Sequence, residues 1–151
     1  MKNLTYLFSA VILLVVLTTI GCKKDDDPGL SEEEQQLEAL AGTWVATTVN
    51  DGVQDRQDYD GFTLTINKEL TYSTAGGPNL LPMPEAGSFV FGTNVKSNIV
   101  IDPTDANIPA TYSIAADGAT LTLSFTYSGS GFANTRTNSV NGSWTFTFAK
   151  Q

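Results

Sequence analysis

The chain has no histidine, and its only cysteine is Cys22. Imidazole general bases, histidine zinc sites, catalytic thiols and intrachain disulfides therefore lack their atoms. Basic side chains are scarce as well, with 8 Lys and Arg against 16 Asp and Glu. No positive surface is available to meet a phosphate backbone, so nucleic acid is not an expected partner. After residue 20 no apolar run is long enough to span a bilayer. Within the domain the only basic residues are Arg56, Lys68, Lys96, Arg136 and Lys150, so catalysis would have to rest on carboxylates. Asp102 and Asp105 flank Pro103, and Asp58 and Asp60 end an acidic stretch from Asp51; both pairs read as turn formers. That stretch also lacks the spacing and closing glutamate of an EF-hand loop. No catalytic residue, metal site or cofactor is expected, and the protein is read as a non-enzyme.

What is present begins with Lys2 ahead of a 17-residue apolar run from Leu4 to Ile20, then Gly21-Cys22. A basic start, an apolar middle and a small residue before the cut form the pattern of a secretory signal peptide; the alternative is an uncleaved membrane helix at the short end of the spanning range. Thr19-Ile20-Gly21-Cys22 resembles the lipobox of bacterial lipoproteins. The resemblance implies cleavage after Gly21 and acyl chains such as palmitate on Cys22, which then anchors the protein to a membrane. Lys23-Lys24-Asp25-Asp26-Asp27-Pro28-Gly29 reads as a solvated tether. It resembles the acidic run that follows the lipidated cysteine of Bacteroidota-type lipoproteins, which implies the outer membrane with the domain at the cell surface; the periplasmic face is the alternative. Ser31-Glu32-Glu33-Glu34 has the capping-box form and predicts a helix over 32–40, with Leu37, Leu40 and Ala41 as its apolar stripe.

From Gly42 onward the hydrophobic period is two, with Thr or Ser between apolar residues, as in Leu121-Leu123-Phe125-Tyr127 and Trp144-Phe146-Phe148. Eight strands are predicted, near 43–49, 61–66, 69–75, 87–92, 97–102, 109–115, 119–127 and 142–149. A two-residue turn at Asn67-Lys68 and short turns through 93–96 and 116–118 demand antiparallel hairpins at every second connection. The other four connections are longer and rich in Gly, Pro, Asn and Asp. Such a chain gives a tight end and a loop-rich end. Eight antiparallel strands with one apolar face bury it most economically by closing, so the expected fold is all-β, an eight-stranded antiparallel up-and-down barrel with a short N-terminal helix. The alternative is an immunoglobulin-like β-sandwich. The expected division is 1–21 signal peptide, 22–41 lipidated cysteine, tether and helix, and 42–151 barrel.

Leu40-Ala41-Gly42-Thr43-Trp44 resembles the L-x-G-x-W opening of lipocalin-like lipoproteins, and Thr63-Leu64-Thr65-Ile66, Ala119 to Leu123 and Gly142 to Phe146 extend the similarity over residues 38–150. The resemblance implies that Gly42 lets the entering chain approach closely and that Trp44 plugs the tight end. That family often packs an arginine of the last strand across this tryptophan, whereas Arg136 here precedes the last strand. Leu80, Leu81 and Met83 lie among three prolines in a connection without strand period, so they must either cap the barrel mouth or border a site. With Tyr59, Phe132 and Arg136 they form the candidate binding set at the loop-rich end. The expected function is non-covalent binding of a small apolar or amphiphilic ligand there; the alternative is a surface protein-interaction or structural module with a filled barrel. The leader generates one prediction: Cys22→Ala moves the protein from the membrane to the soluble fraction, as checked by fractionation and immunoblot.

Overall fold

The computed structural model describes residues 29–132 and 140–151. A helix, α1 (Glu32–Leu40), precedes strands β1 (Gly42–Asn50), β2 (Thr63–Ile66), β3 (Thr71–Ala75), β4 (Ala86–Phe91), β5 (Asn98–Ile101), β6 (Ile108–Ile114), β7 (Thr120–Tyr127) and β8 (Gly142–Lys150). Each strand pairs antiparallel with the next, and β8 returns to β1, closing the barrel. The sandwich alternative is thereby excluded. The leader, the tether and Cys22, like Arg136, lie outside the described residues.

Alternation sets the inside and outside. Leu121, Leu123 and Phe125 of β7 and Trp144, Phe146 and Phe148 of β8 point inward and are buried, while the Thr and Ser between them stay partly wet. On β8 the inward rings form a column: Trp144 and Phe148 stack on Phe146 at 6.0 and 5.8 Å, and Phe125 stacks on it from β7 at 5.9 Å. An eight-stranded barrel is just wide enough for its own side chains to fill, and here aromatic rings fill it.

The tight-end hairpins are where the sequence places them, with one difference. The β2–β3 hairpin closes through the Asn67 N–H to the Thr71 carbonyl (2.9 Å), so the loop is Lys68 to Leu70 and not the two-residue turn Asn67-Lys68. Leu70 takes a left-handed φ of 59° in that turn, outside the strand to which alternation assigns it. Local period cannot see that its backbone is needed for a bend.

Helix α1 covers the tight end. Its capping box forms between Ser31 and Glu34, and Leu40 is buried at the barrel floor with Leu37 packed beside it. All three lysines of the described residues reach this helix: Lys68 to Glu38, Lys96 to Glu32 at 3.0 Å, and Lys150 to the Ala39 carbonyl at 3.0 Å. Exposed ion pairs of this kind contribute little each, about 0–1 kcal/mol, so the apolar contact of Leu40 does most of the fastening.

Both ends of the barrel are closed by the same local device. Trp44 donates its indole N–H to the Leu40 carbonyl (2.8 Å), and Trp144 donates to the Val140 carbonyl (2.9 Å). Leu40-Ala41-Gly42-Thr43-Trp44 and Val140-Asn141-Gly142-Ser143-Trp144 thus repeat one corner, each with a glycine at positive φ, 131° and 150°, where the chain turns into a strand. The Thr43 and Ser143 hydroxyls each meet a hydroxyl on an adjacent strand, Thr65 on β2 and Thr126 on β7. Each indole also carries a cation: Lys150 Nζ lies 4.9 Å from the Trp44 ring and Arg56 Cζ 5.4 Å from the Trp144 ring. A last-strand cation therefore does cross the first tryptophan, supplied by Lys150 where the lipocalin-like pattern has arginine.

These seals predict that Trp44→Ala and Trp144→Ala each lower stability by about 3–5 kcal/mol, the range for deleting a large buried ring. Trp44→Phe, which keeps a ring but loses the bond to Leu40, should cost less. Denaturant melts of the three variants check the ranking.

Candidate functional site at the loop-rich end

The four odd-numbered connections gather at the end opposite α1. The first, between β1 and β2, fills a split in the wall: β1 leaves β2 after Val45 pairs with Thr63 and continues along β8 past a bulge at Thr47. Asp51 shapes it by accepting the Val53 and Gln54 N–H groups at 3.0 and 2.9 Å, an Asx turn. Those amides, Gln54 foremost, hold the Asp51 carboxyl below its usual range. Arg56 binds Asp58 through two nitrogens, at 2.9 and 2.7 Å, and touches Asp51 at 3.4 Å. The Asp58 carboxyl is likewise lowered, chiefly by that paired guanidinium. Arg56 also lies over Tyr59, 5.8 Å from the ring centre, and so fixes Tyr59 and Trp144 together. A polar groove of about 260 Å³ runs between Thr47 to Val49 of β1 and Asp55 to Asp60.

The third connection, residues 76–85, forms the stopper. Leu81, Pro82 and Met83 are buried and Leu80 is half-buried. Leu81 bridges to half-buried Phe132 of the seventh connection, whose N–H donates to the Leu81 carbonyl at 3.0 Å. Tyr59 is also buried, edge-on to Phe62 and Phe146 at 5.4 and 5.5 Å. Five members of the candidate set, Tyr59, Leu80, Leu81, Met83 and Phe132, are thus brought together at one end as a cap over the barrel. The remaining member, Arg136, is outside the described residues, and Arg56 is the basic residue the structure places there. Gly42 and Trp44 lie at the far, tight end.

Below the stopper is an apolar cavity of only about 30 Å³, lined by Met83 with Leu64, Tyr72, Phe89, Leu121 and Leu123 among others. It is the size of a water molecule and offers no polar wall, so it stays dry. Two fully buried hydroxyls at this end, those of Tyr59 and Tyr72, have no hydrogen-bond partner among the described residues. Tyr59 packs under the stopper, where a Cβ on Gly77 would lie 3.6 Å from its ring, and Tyr72 shares the small cavity with Met83. Asp102 Oδ1 and the Tyr72 hydroxyl both lie within 3.2 Å of where a Gly87 Cβ would sit, so only glycine leaves the phenol its room. Burial pushes the Tyr59 and Tyr72 phenols far above their usual range, and that of Tyr112 up to about 12. Tyr112 differs in being satisfied, bonded to the Val95 carbonyl and 3.2 Å from Gln36 Oε1 of α1.

Among the described residues no three carboxylates converge on a metal position, and Asp102 serves its turn by accepting the Ala106 N–H at 3.2 Å. Tyr72 and Arg56 carry no mark in the sequence, since Tyr72 sits in ordinary alternation and Arg56 among four nearby acids. The second seal did have a signal, the apolar-x-Gly-hydroxyl-Trp spacing repeated 100 residues on. Comparison with protein-family models, curated proteins and solved structures gives no match.

An unpaired buried hydroxyl costs about 1–3 kcal/mol. Tyr72→Phe is therefore expected to raise stability by about 1 kcal/mol, whereas Tyr112→Phe, which breaks a made bond, lowers it by a similar amount. All three phenols are raised in the folded state, so their contribution is present below about pH 10 and is lost as pH rises through the folded values. Phenolate absorbance and circular dichroism followed together should change in one step on the alkaline side.

Proposed function

We propose that this chain is a cell-envelope lipoprotein with a lipocalin-like barrel, anchored through Cys22, that binds an amphiphilic ligand non-covalently at its loop-rich end and performs no chemistry on it. The observation that carries the reading is the buried Tyr72 phenol, which meets no partner among the described residues and lines the small apolar cavity under Met83, with the Tyr59 phenol, likewise unmet, packed nearby under Gly77. A protein seldom leaves such hydroxyls unmet, and a ligand with an apolar body and a polar head supplies what both parts of the site lack. The apolar body takes the volume now held by Leu81 and Met83, and the head meets Tyr59 or Tyr72. The lipobox resemblance and the acidic residues after Cys22 support the outer membrane as location. Because α1 covers the tight end and the anchor precedes α1, the loop-rich end faces away from the membrane.

The 30 Å³ interior favours a second reading, a filled barrel that meets a protein partner by its loops. Thermal shift separates the two. Under the first reading, a long-chain fatty acid or a bile-type steroid acid raises the melting temperature following RT ln(1 + [L]/Kd), about 2.7 kcal/mol at a hundredfold excess over Kd, while a neutral oligosaccharide does not. Tyr72→Phe then stabilises the free protein but weakens the acid's binding about tenfold, the worth of one hydrogen bond to a charged group. Silence across the panel favours the interaction module.

A further inference from the structure

We propose that residues 76–85, between β3 and β4, are a lid that must swing out of the barrel mouth before a ligand enters; this rests on the binding reading above and adds its control. Three observations carry it. First, the segment fills the mouth with side chains and hardly bonds to it. Leu81, Pro82 and Met83 are buried, yet from Gly76 to Pro84 the sole hydrogen bond among the described residues is that from the Phe132 N–H to the Leu81 carbonyl. The strands around it are each held by antiparallel ladders on both sides. A segment fastened by apolar contact and one bond opens at far lower free energy than the ladders around it.

Second, its ends are built as a hinge and a stop. Gly76 and Gly77 both take positive φ, 75° and 82°, and a Cβ on either would come within 2.9 Å of Gly61 or Phe62. At the far end its last residue, Glu85, is fixed by the Thr74 N–H and hydroxyl at 2.7 and 3.1 Å. Motion is thus confined to the stretch that carries Leu81 and Met83.

Third, the lid reaches into the apolar void of the interior described above, about 30 Å³. Met83 is the lid's member of the cavity lining, beside Leu64, Tyr72, Phe89, Ile101 and Leu123. Withdrawing Met83 joins its own volume to the 30 Å³ void and opens an apolar space with the Tyr72 ring in its wall. An apolar chain entering that space buries the surface the lid gave up, so the exchange of lid for ligand is close to balanced, as a reversible gate requires.

The test locks the lid. In a Cys22→Ala background, Leu81→Cys with Phe132→Cys places two cysteines at bridged positions whose Cα spacing suits a disulfide. Laurate is the probe. The reduced protein is expected to bind it, and the oxidised protein to bind at least tenfold more weakly or slowly, with recovery on reduction. Equal binding by both forms overturns the lid and leaves the binding reading standing. Hydrogen exchange on the unaltered chain needs no ligand and covers the case in which neither form binds. The Phe132 amide should exchange at least a hundredfold faster than the amides of the β7–β8 ladder; if it is as protected as they are, the lid is wrong. Met83→Ala, which empties that space without touching the latch, should tighten laurate binding several-fold, and weaker binding by this variant counts against the lid.

Discussion

Phe146 is the ring on which the aromatic interior of the barrel converges. Its ring meets Tyr59, Phe62, Phe125, Trp144 and Phe148, drawn from β7, β8 and the first connection. Eight strands closed on themselves leave room for about one layer of side chains, and a planar ring on the axis lets others stack on both faces and stand against its edges. The column Trp144-Phe146-Phe148 is possible because β8 alternates without interruption, and it turns strand closure into a packed interior. Everything else at the loop-rich end is arranged around what this column leaves uncovered.

The two indole corners show how a short barrel closes its ends. A strand that starts at the rim needs its incoming chain to turn sharply, and a glycine at positive φ permits the turn without a Cβ collision. The turn brings the carbonyl four residues back over the rim, where an inward-pointing tryptophan can donate to it. Covering the indole with a lysine at one end and an arginine at the other adds a cation over each ring. The same solution in two places reflects the same geometric problem at both rims.

The ends nevertheless differ in what covers them. The tight end is finished by a helix with its own cap, a buried leucine and three lysine contacts. The loop-rich end is finished by side chains from a proline-rich loop that, among the described residues, makes almost no hydrogen bonds, near two buried phenols that meet no partner there.

Much of the architecture follows from local rules that the sequence states openly. Alternation in β7 and β8, the capping box at Ser31 and three short turns at every second connection determine the strands, their antiparallel order and which end carries the loops, because each depends on neighbours within a few residues. Gly42 and Trp44 were marked instead by the resemblance of residues 40–44 to the L-x-G-x-W opening. Tertiary structure alone decided that Leu70 bends a turn, that Lys150 and not an arginine lies over Trp44, and that Leu81 and Met83 turn inward as a stopper. It also decided that the hydroxyls of Tyr59 and Tyr72 meet no partner among the described residues. Each of these depends on which groups arrive from more distant parts of the chain, and a linear pattern of polar and apolar residues carries the period of a strand but not the identity of what it meets across the barrel.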